Sequence, residues 1–343
     1  MRTSRLRSTA STSPSDQHGD HTRVSAGAPA PTVGIDLGGT NLRFGVVDAD
    51  GTIVDEHRLP APHELHALVD AIRKGIDAVR AAEPGAVGIG AAGMIDDDGV
   101  VHYAPNLPMF IDAPLRALVQ EVVDLPLVVD NDANVAAWGE YCHGALRGHR
   151  HGLLVTLGTG VGGGIIADGR LLRGAHGFAA EVGHWQFDPA GPKCACGEIG
   201  HWEAMASGAA LGRMGRDRAR AGVAPSVVAR ASGEVDAVTG VEVGDSAQAG
   251  EPDGVAIVAE LAHAVALGLA GLTNILDPEV IVVSGGLVEL GDALLVPIRE
   301  AFVGHLEGAA HRPEVPIVAG ELGDAAGVVG AAALARELVR TTA

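Results

Sequence analysis

Short runs of Val, Ile and Leu, each stopped by Gly or Asp, alternate along this chain with longer Ala-rich stretches, and that alternation limits the fold more than any single motif does. Strands interleaved with helices of this kind give α/β architecture. The apolar runs predict strands over residues 32–36, 42–47, 86–90, 127–130, 152–156, 163–167 and 280–283, and the Ala-rich stretches predict helices over 65–82, 113–123, 134–143, 208–221, 255–276 and 326–339. At 343 residues the chain exceeds what one compact core usually organises. Two domains are therefore expected, a small one from 32–136 plus 328–343 and a large one over 137–327, behind a flexible tail (1–31) rich in Ser, Thr, Ala, Pro and Arg. A transit peptide is the lesser reading of that tail, because Asp16, Asp20 and its histidines argue against one. The acidic, Gly-rich stretch 232–254 is expected to be an irregular surface insertion.

The chain also echoes itself. VGIDLGGT at 33–40, a β-run and Ala-Asp-Gly at 49–51 recur as LLVTLGTG at 153–160, a β-run and Ala-Asp-Gly at 167–169. Each copy reads as strand, glycine turn, strand, hairpin. Either the similarity is the chance likeness of Gly-rich turns, or two related domains face each other and each offers a glycine turn to a ligand between them.

Charge sets what that ligand can be. Lys and Arg number 24 against 43 Asp and Glu, a net −19, which opposes nonspecific binding to nucleic acid or an anionic membrane. A phosphate group bound here must be held by backbone amides, helix ends or a metal. Three cysteines are too few for a disulfide framework, and no run of about 18 uninterrupted apolar residues is present, so a cytoplasmic protein is expected.

Several motifs could carry chemistry. Asp36 is followed by Gly38, Gly39 and Thr40 at the end of an apolar strand. Two glycines let the backbone turn sharply and leave N–H groups to face an anion, with Asp36 free for a hydrated Mg²⁺; an ordinary hairpin turn is the plain alternative. Gly158, Thr159 and Gly160 open a G-x-G-x-x-G match, but a β-run follows where a Rossmann fold needs a helix, leaving a β-hairpin phosphate cradle. Asp130 to Asn134 (DNDAN) closes a strand and opens a helix. A carboxylate there can take a proton from a substrate hydroxyl, which makes Asp132 the candidate general base against a helix N-cap as the alternative.

The densest cluster lies at 178–203. Cys194 and Cys196, with His184 ten residues before and His201 five residues after, supply four N/S ligands suited to a closed, structural Zn²⁺ site, against a strained Cys194–Cys196 disulfide. Four of the ten aromatics (Phe178, Trp185, Phe187, Trp202) fall here with two uncommitted acids, Glu181 and Glu203. Carboxylates beside apolar faces suit a polyol such as a sugar, although aromatics packing a metal-held loop would look the same. Asn106 in a Pro-punctuated loop, and the small-residue turn Gly285-Gly286 after a strand, say little alone.

Taken in this order, from Val33 to the C-terminal helix, the motifs resemble the ROK family of repressors and sugar kinases, which belongs to the actin-like ATPase superfold. The resemblance is closest to the bacterial glucokinases and rests most on the 181–203 stretch. It implies a two-domain α/β fold with an interdomain cleft and a zinc-held loop. It implies that Asp36, Gly38–Thr40 and Gly158–Gly160 meet the phosphates of ATP with Mg²⁺, and that Gly285 and Gly286 line the adenosine site. It implies further that Asn106, Asn131, Asp132, Glu181, His184 and Glu203 meet the sugar, with Asp132 the base at the 6-hydroxyl. His184 would serve zinc with one nitrogen and the sugar with the other. The family usually carries a cysteine where this chain has His201, a change expected to keep the site but lower metal affinity. Other hexoses, N-acetylhexosamines or polyphosphate are the competing substrates. A sugar-responsive repressor is a remote alternative, since the stretch ahead of residue 32 offers no helix-turn-helix. A homodimer is expected, with no interface to indicate.

Overall fold

The structure, a computed structural model, describes residues 29–342 except Pro105, Asn106 and Pro108. Most of the expected tail, and Asn106, thus lie outside the described residues. Two five-stranded sheets organise the rest. The first runs Ile53–Pro60 (β3), Asn41–Val47 (β2), Thr32–Leu37 (β1), Val87–Ala91 (β4), Leu127–Asn131 (β8). The second runs Arg170–Leu171 (β11), Val161–Ala167 (β10), Gly152–Leu157 (β9), Val280–Ser284 (β12), Ile317–Ala319 (β13). In both, the central strand (β1 or β9) pairs antiparallel with the strand that follows it and parallel with the next (β4 or β12), which in turn pairs parallel with the strand at the sheet edge (β8 or β13). The two sheets therefore share one topology, and the sequence echo marks the same hairpin in each. A small sheet of Met94–Ile95 (β5), Val101–Tyr103 (β6) and Ile111–Ala113 (β7) is inserted into the first lobe.

The expected strands appear where the apolar runs place them, because those runs are buried: Val33, Ile35, Ile89 and Val129 join one core, and Leu153, Val155, Ile281 and Val283 the other. β3 carries no such run. It is an edge strand of alternating exposed charged residues, the composition that keeps an edge from pairing with another chain.

Helices Leu65–Ala78 (α1) and Leu115–Gln120 (α2) cover the first core, and α1 does so through Leu68, Val69, Ile72 and Ile76 at helical spacing. Asp132–His143 (α3) follows β8 directly. Glu203–Ala206 (α4), Gly208–Arg220 (α5), Pro225–Arg230 (α6), Gly240–Gln248 (α7), Pro252–Leu276 (α8) and Asp292–Val303 (α9) build the second lobe, and Ala326–Thr342 (α10) returns to the first sheet. α8 is long and apolar enough to cross a membrane by those criteria, yet 56% of the qualifying window is buried as the spine of the second core.

The stretch 232–254 corrects the expectation of an irregular insertion: it contains a 3₁₀ turn at Val235–Ala237, all of α7 and the start of α8. Thr239 and Glu242 form a reciprocal capping box, and Val243 and Ala247 bury the inner face of α7. The acids are simply its wet side.

α3 and α10 cross between the sheets, α3 against β9 and β10, α10 against β1 and β4. Their backbones nearly touch. A Cβ on Gly330 would lie 1.9 Å from the Val135 carbonyl oxygen and 3.0 Å from the Gly139 nitrogen, and one on Gly34 or Gly88 would lie 1.8 or 1.9 Å from a carbonyl of α10. Glu140 on α3, fully buried, accepts hydrogen bonds from the backbone N–H of Ala145 (2.7 Å) and, just before α10, of Glu321 (3.1 Å) and Leu322 (2.9 Å). In an open helix, Gly→Ala gains about 1 kcal/mol. At position 330 the sign should reverse: Gly330→Ala is expected to destabilise the fold by about 3 kcal/mol, read as a lower urea midpoint at unchanged slope.

Candidate active site and metal centre

The β8–α3 junction places the candidate base. Asn131, not Asp132, is the N-cap: its Oδ1 accepts from the N–H of Ala133 (2.9 Å) and Asn134 (3.1 Å), and its Nδ2 donates to the Gly93 carbonyl (3.1 Å). Its oxygen and one amide proton are so engaged, and the second amide proton is left for the expected sugar contact. Asp132 is left as the first helical residue, open to solvent, its Oδ1 accepting from the Ala133 N–H (2.8 Å). Protein nevertheless surrounds it on the floor of a cleft, and this desolvation raises its pKa against the opposing effect of backbone N–H donors.

Two more of the expected acids, Asp36 and Glu181, lie close enough to feel its charge, and Glu203 lies close enough to Glu181 to be felt there. Glu181 has its pKa raised to about 7 by burial and by the charges of Asp132 and Glu203. Asp36, at the end of β1, is raised by burial first and then by Asp132, with Arg43 opposing. Glu203, at the start of α4, accepts from the Val161 N–H (3.1 Å) through Oε2 and from the Cys194 Sγ (3.2 Å) through Oε1. Like charges gathered without a matched cation suit a ligand that brings hydroxyl donors.

His184, Cys194, Cys196 and His201 are brought together as predicted, their ligand atoms all within 4.8 Å of one another. The Nδ1 of His184 lies 3.9 Å from the Cys194 Sγ, and that of His201 lies 3.2 Å from the Cys196 Sγ. Two thiols and two imidazoles converging on one point fit Zn²⁺ in a closed tetrahedral site, with Nδ1 as the ligand atom and Nε2 left for other partners. The aromatics here pack the loop onto α8: Trp202 is wholly buried with its Nε1 donating to the Ala264 carbonyl (2.9 Å), and Trp185 lies over Gly271 with Phe187 at its edge. Phe178 lies elsewhere, edge-on to His102 in the first lobe.

Of the residues assigned to nucleotide, Gly158, Thr159 and Gly286 share one cavity of about 590 Å³. Gly285 turns the end of β12 behind it at φ +88°, where a Cβ would meet the Leu157 carbonyl at 2.7 Å. Gly160 instead packs on Glu203, leaving no room for a side chain. Asp36, Gly38, Gly39 and Thr40 do not line this cavity; they form the corresponding turn of the first sheet, in which the Gly38 N–H donates to the Asn41 carbonyl (3.0 Å). Sequence reasoning missed the opposite wall, the amino ends of α5 (Gly208, Ala209) and α7 (Thr239 to Val241), whose helix dipoles favour anions. The capping box of α7 was the available signal.

Two sheets of one topology closing on a cleft, with a glycine turn from each, define an actin-like ATPase fold. The sequence pattern of the ROK family matches residues 32–338, and this chain belongs to that family. It is 44% identical over 310 residues to a glucokinase of Streptomyces coelicolor, covering 89% of this chain and 98% of that protein. It is 33% identical over 309 residues to an N-acetylmannosamine kinase of Escherichia coli O157:H7, covering 89% and 98%. The crystal structure of a ROK family glucokinase from Streptomyces griseus in complex with glucose and AMPPNP superposes with a TM-score of 0.81 at 42% identity, covering 90% of this chain and 99% of that one.

Two outcomes follow from this geometry. Chelation of the metal should remove one zinc per chain by elemental analysis and lower the melting temperature by roughly 10 °C, with zinc restoring it. Glu181 is protonated more readily folded than unfolded, so it binds the extra proton between its ordinary 4.5 and about 7. Its contribution to stability should decline as pH rises through that window, and Glu181→Gln should flatten the pH–melting curve there.

Proposed function

We propose that this chain transfers the γ-phosphoryl group of ATP to the 6-hydroxyl of glucose. The observation that carries the reading is Asp132: a carboxylate on the cleft floor that is not spent on capping the helix, with Glu181 beside it and Glu203 beside Glu181 to receive sugar hydroxyls. Asp132 takes the 6-hydroxyl proton as that oxygen bonds to the γ-phosphorus, and the bond to the β-bridging oxygen breaks to release ADP. ATP enters the cavity of Gly158, Thr159 and Gly286 with its adenosine toward Gly285 and Gly286 and its phosphates toward Gly158–Gly160 and the facing turn at Gly38–Thr40. Asp36, crowded by the like charges of Asp132 and Asp324, suits a hydrated Mg²⁺, which when bound neutralises phosphate charge. Closure of the lobes over the sugar excludes water, whose attack on ATP is the competing reaction.

The greater likeness to glucokinases than to N-acetylmannosamine kinases supports glucose as the sugar. The same likeness supports a cytoplasmic enzyme, and we extend it to a homodimer. The net charge of −19 supports ATP over a long polyphosphate, which would want a basic track.

A coupled ADP-release assay over glucose, mannose, fructose, N-acetylglucosamine and N-acetylmannosamine tests the proposal. Glucose should give the highest kcat/KM, and Asp132→Asn should lower kcat by about a thousandfold. A preference for an N-acetylated sugar would move the substrate while leaving the base; Asp132→Asn at wild-type rate would overturn the base.

A further inference from the structure

We infer that Arg173 is a positioning residue that sets Asp132 and Glu181 in register across the cleft, an inference that rests on the proposed kinase function. Arg173 belongs to the second lobe, two residues beyond β11, yet its Nε donates to the Oδ2 of Asp130 on β8 of the first lobe at 2.7 Å. Asp130 has a side chain only 7% exposed, and Arg173 is its one ion-pair partner among the described residues. The other carboxylate oxygen accepts from the Asn131 N–H (2.8 Å) and the Asn134 Nδ2 (3.0 Å), so Asp130 organises the turn on which Asp132 stands. The junction keeps the Asn134 bond even though the Oδ1 of Asn134 is buried without a partner.

The other end of the connection is as direct. Arg173 begins the segment that reaches Glu181, and its carbonyl accepts from the Ala179 N–H (3.0 Å), which draws the segment into a loop. That loop lies on the first lobe: Gly177 is so close to Ile95 that a Cβ would fall 2.3 Å from the Ile95 carbonyl oxygen, and Phe178 meets His102 edge-on at 5.6 Å. One guanidinium therefore ties the junction that carries the base to the loop that carries Glu181. A buried carboxylate left unpaired would relax by shifting the junction, and a misplacement of about 1 Å at a reacting group costs about a hundredfold in rate.

The test uses the full chain with Arg173→Met, Arg173→Lys, Asp130→Asn and the Arg173→Met/Asp130→Asn double variant, measuring kcat and separate KM values for sugar and ATP beside the melting temperature. Arg173→Met should lower kcat/KM for the sugar about a hundredfold while the KM for ATP stays within about twofold. Arg173→Lys, which retains a cation able to reach Asp130, should recover about tenfold of that loss. The double variant should be no worse than the worse single one, because the two side chains act as one unit. A fall in melting temperature with kcat/KM for sugar held within about threefold would reduce the pair to a structural tie and overturn the inference, as would additive losses in the double variant. Turnover by the wild-type chain separates this from the proposed function. If another sugar replaces glucose, the substrate assignment falls and the same ratios taken with that sugar still decide on Arg173; if no sugar is turned over, both fall.

Discussion

The two lobes are joined by a contact between backbones. Where α3 crosses α10, Gly139 and Gly330 remove the side chains that would hold the helices apart, and Gly34 and Gly88 let α10 settle directly on β1 and β4. Close approach of main chains leaves few soft degrees of freedom at the crossing. The fully buried Glu140 strengthens the crossing by holding three backbone N–H groups, one beyond the end of α3 and two ahead of α10. The site lies at the other end of the same helix. α3 begins at Asp132 and ends at His143, so the residue proposed as the base is fixed to one of the two helices of the crossing.

Against this rigid crossing the cleft floor is electrostatically uneasy. Asp36, Asp132 and Glu181 all have their carboxyl groups pushed up by desolvation, and Asp36 and Glu181 also by neighbouring acids. Folding gains nothing from such a cluster. Its cost is offset by the two cores, and the protonation of Glu181 near neutrality relieves part of it. A net −19 surface adds to the same field, which explains why a phosphate donor must be met by glycine-turn amides, helix ends and a divalent cation and not by a basic patch.

How much of this could be read in advance depended on the range of the interaction. Strands and helices with a strong apolar period were legible, and so was the repeated hairpin, because β1–β2 and β9–β10 are local structures written in contiguous residues. The four metal ligands lie within eighteen residues of one another and were legible for the same reason. The misreading of 232–254 came from weighing acidic composition above the Thr239–Glu242 capping box, a local signal that outranks it. In DNDAN the residue types allowed a cap and a base without saying which was which. The answer depended on φ and ψ at Asn131, whose extended conformation turns its own side chain onto the helix end and leaves Asp132 free. Arg173 could not be found at all, since its partner lies 43 residues away in the other lobe and no period or motif encodes that meeting.

Glu203 shows why the metal centre, the glycine turn and the acid cluster work as one assembly. One of its oxygens holds the Val161 N–H at the mouth of the β9–β10 turn, and the other meets Cys194, a member of the metal cluster. Its charge is also felt by Glu181. The Gly160 position must be bare because this carboxylate occupies the space a Cβ would take, so a glycine that looks like part of a phosphate loop is required by the acid behind it. A metal held by Cys194 and His184 would fix the loop that packs against a carboxylate of the β9–β10 glycine turn, and an ion with no open coordination position would then bear on the cleft only by holding that loop in place.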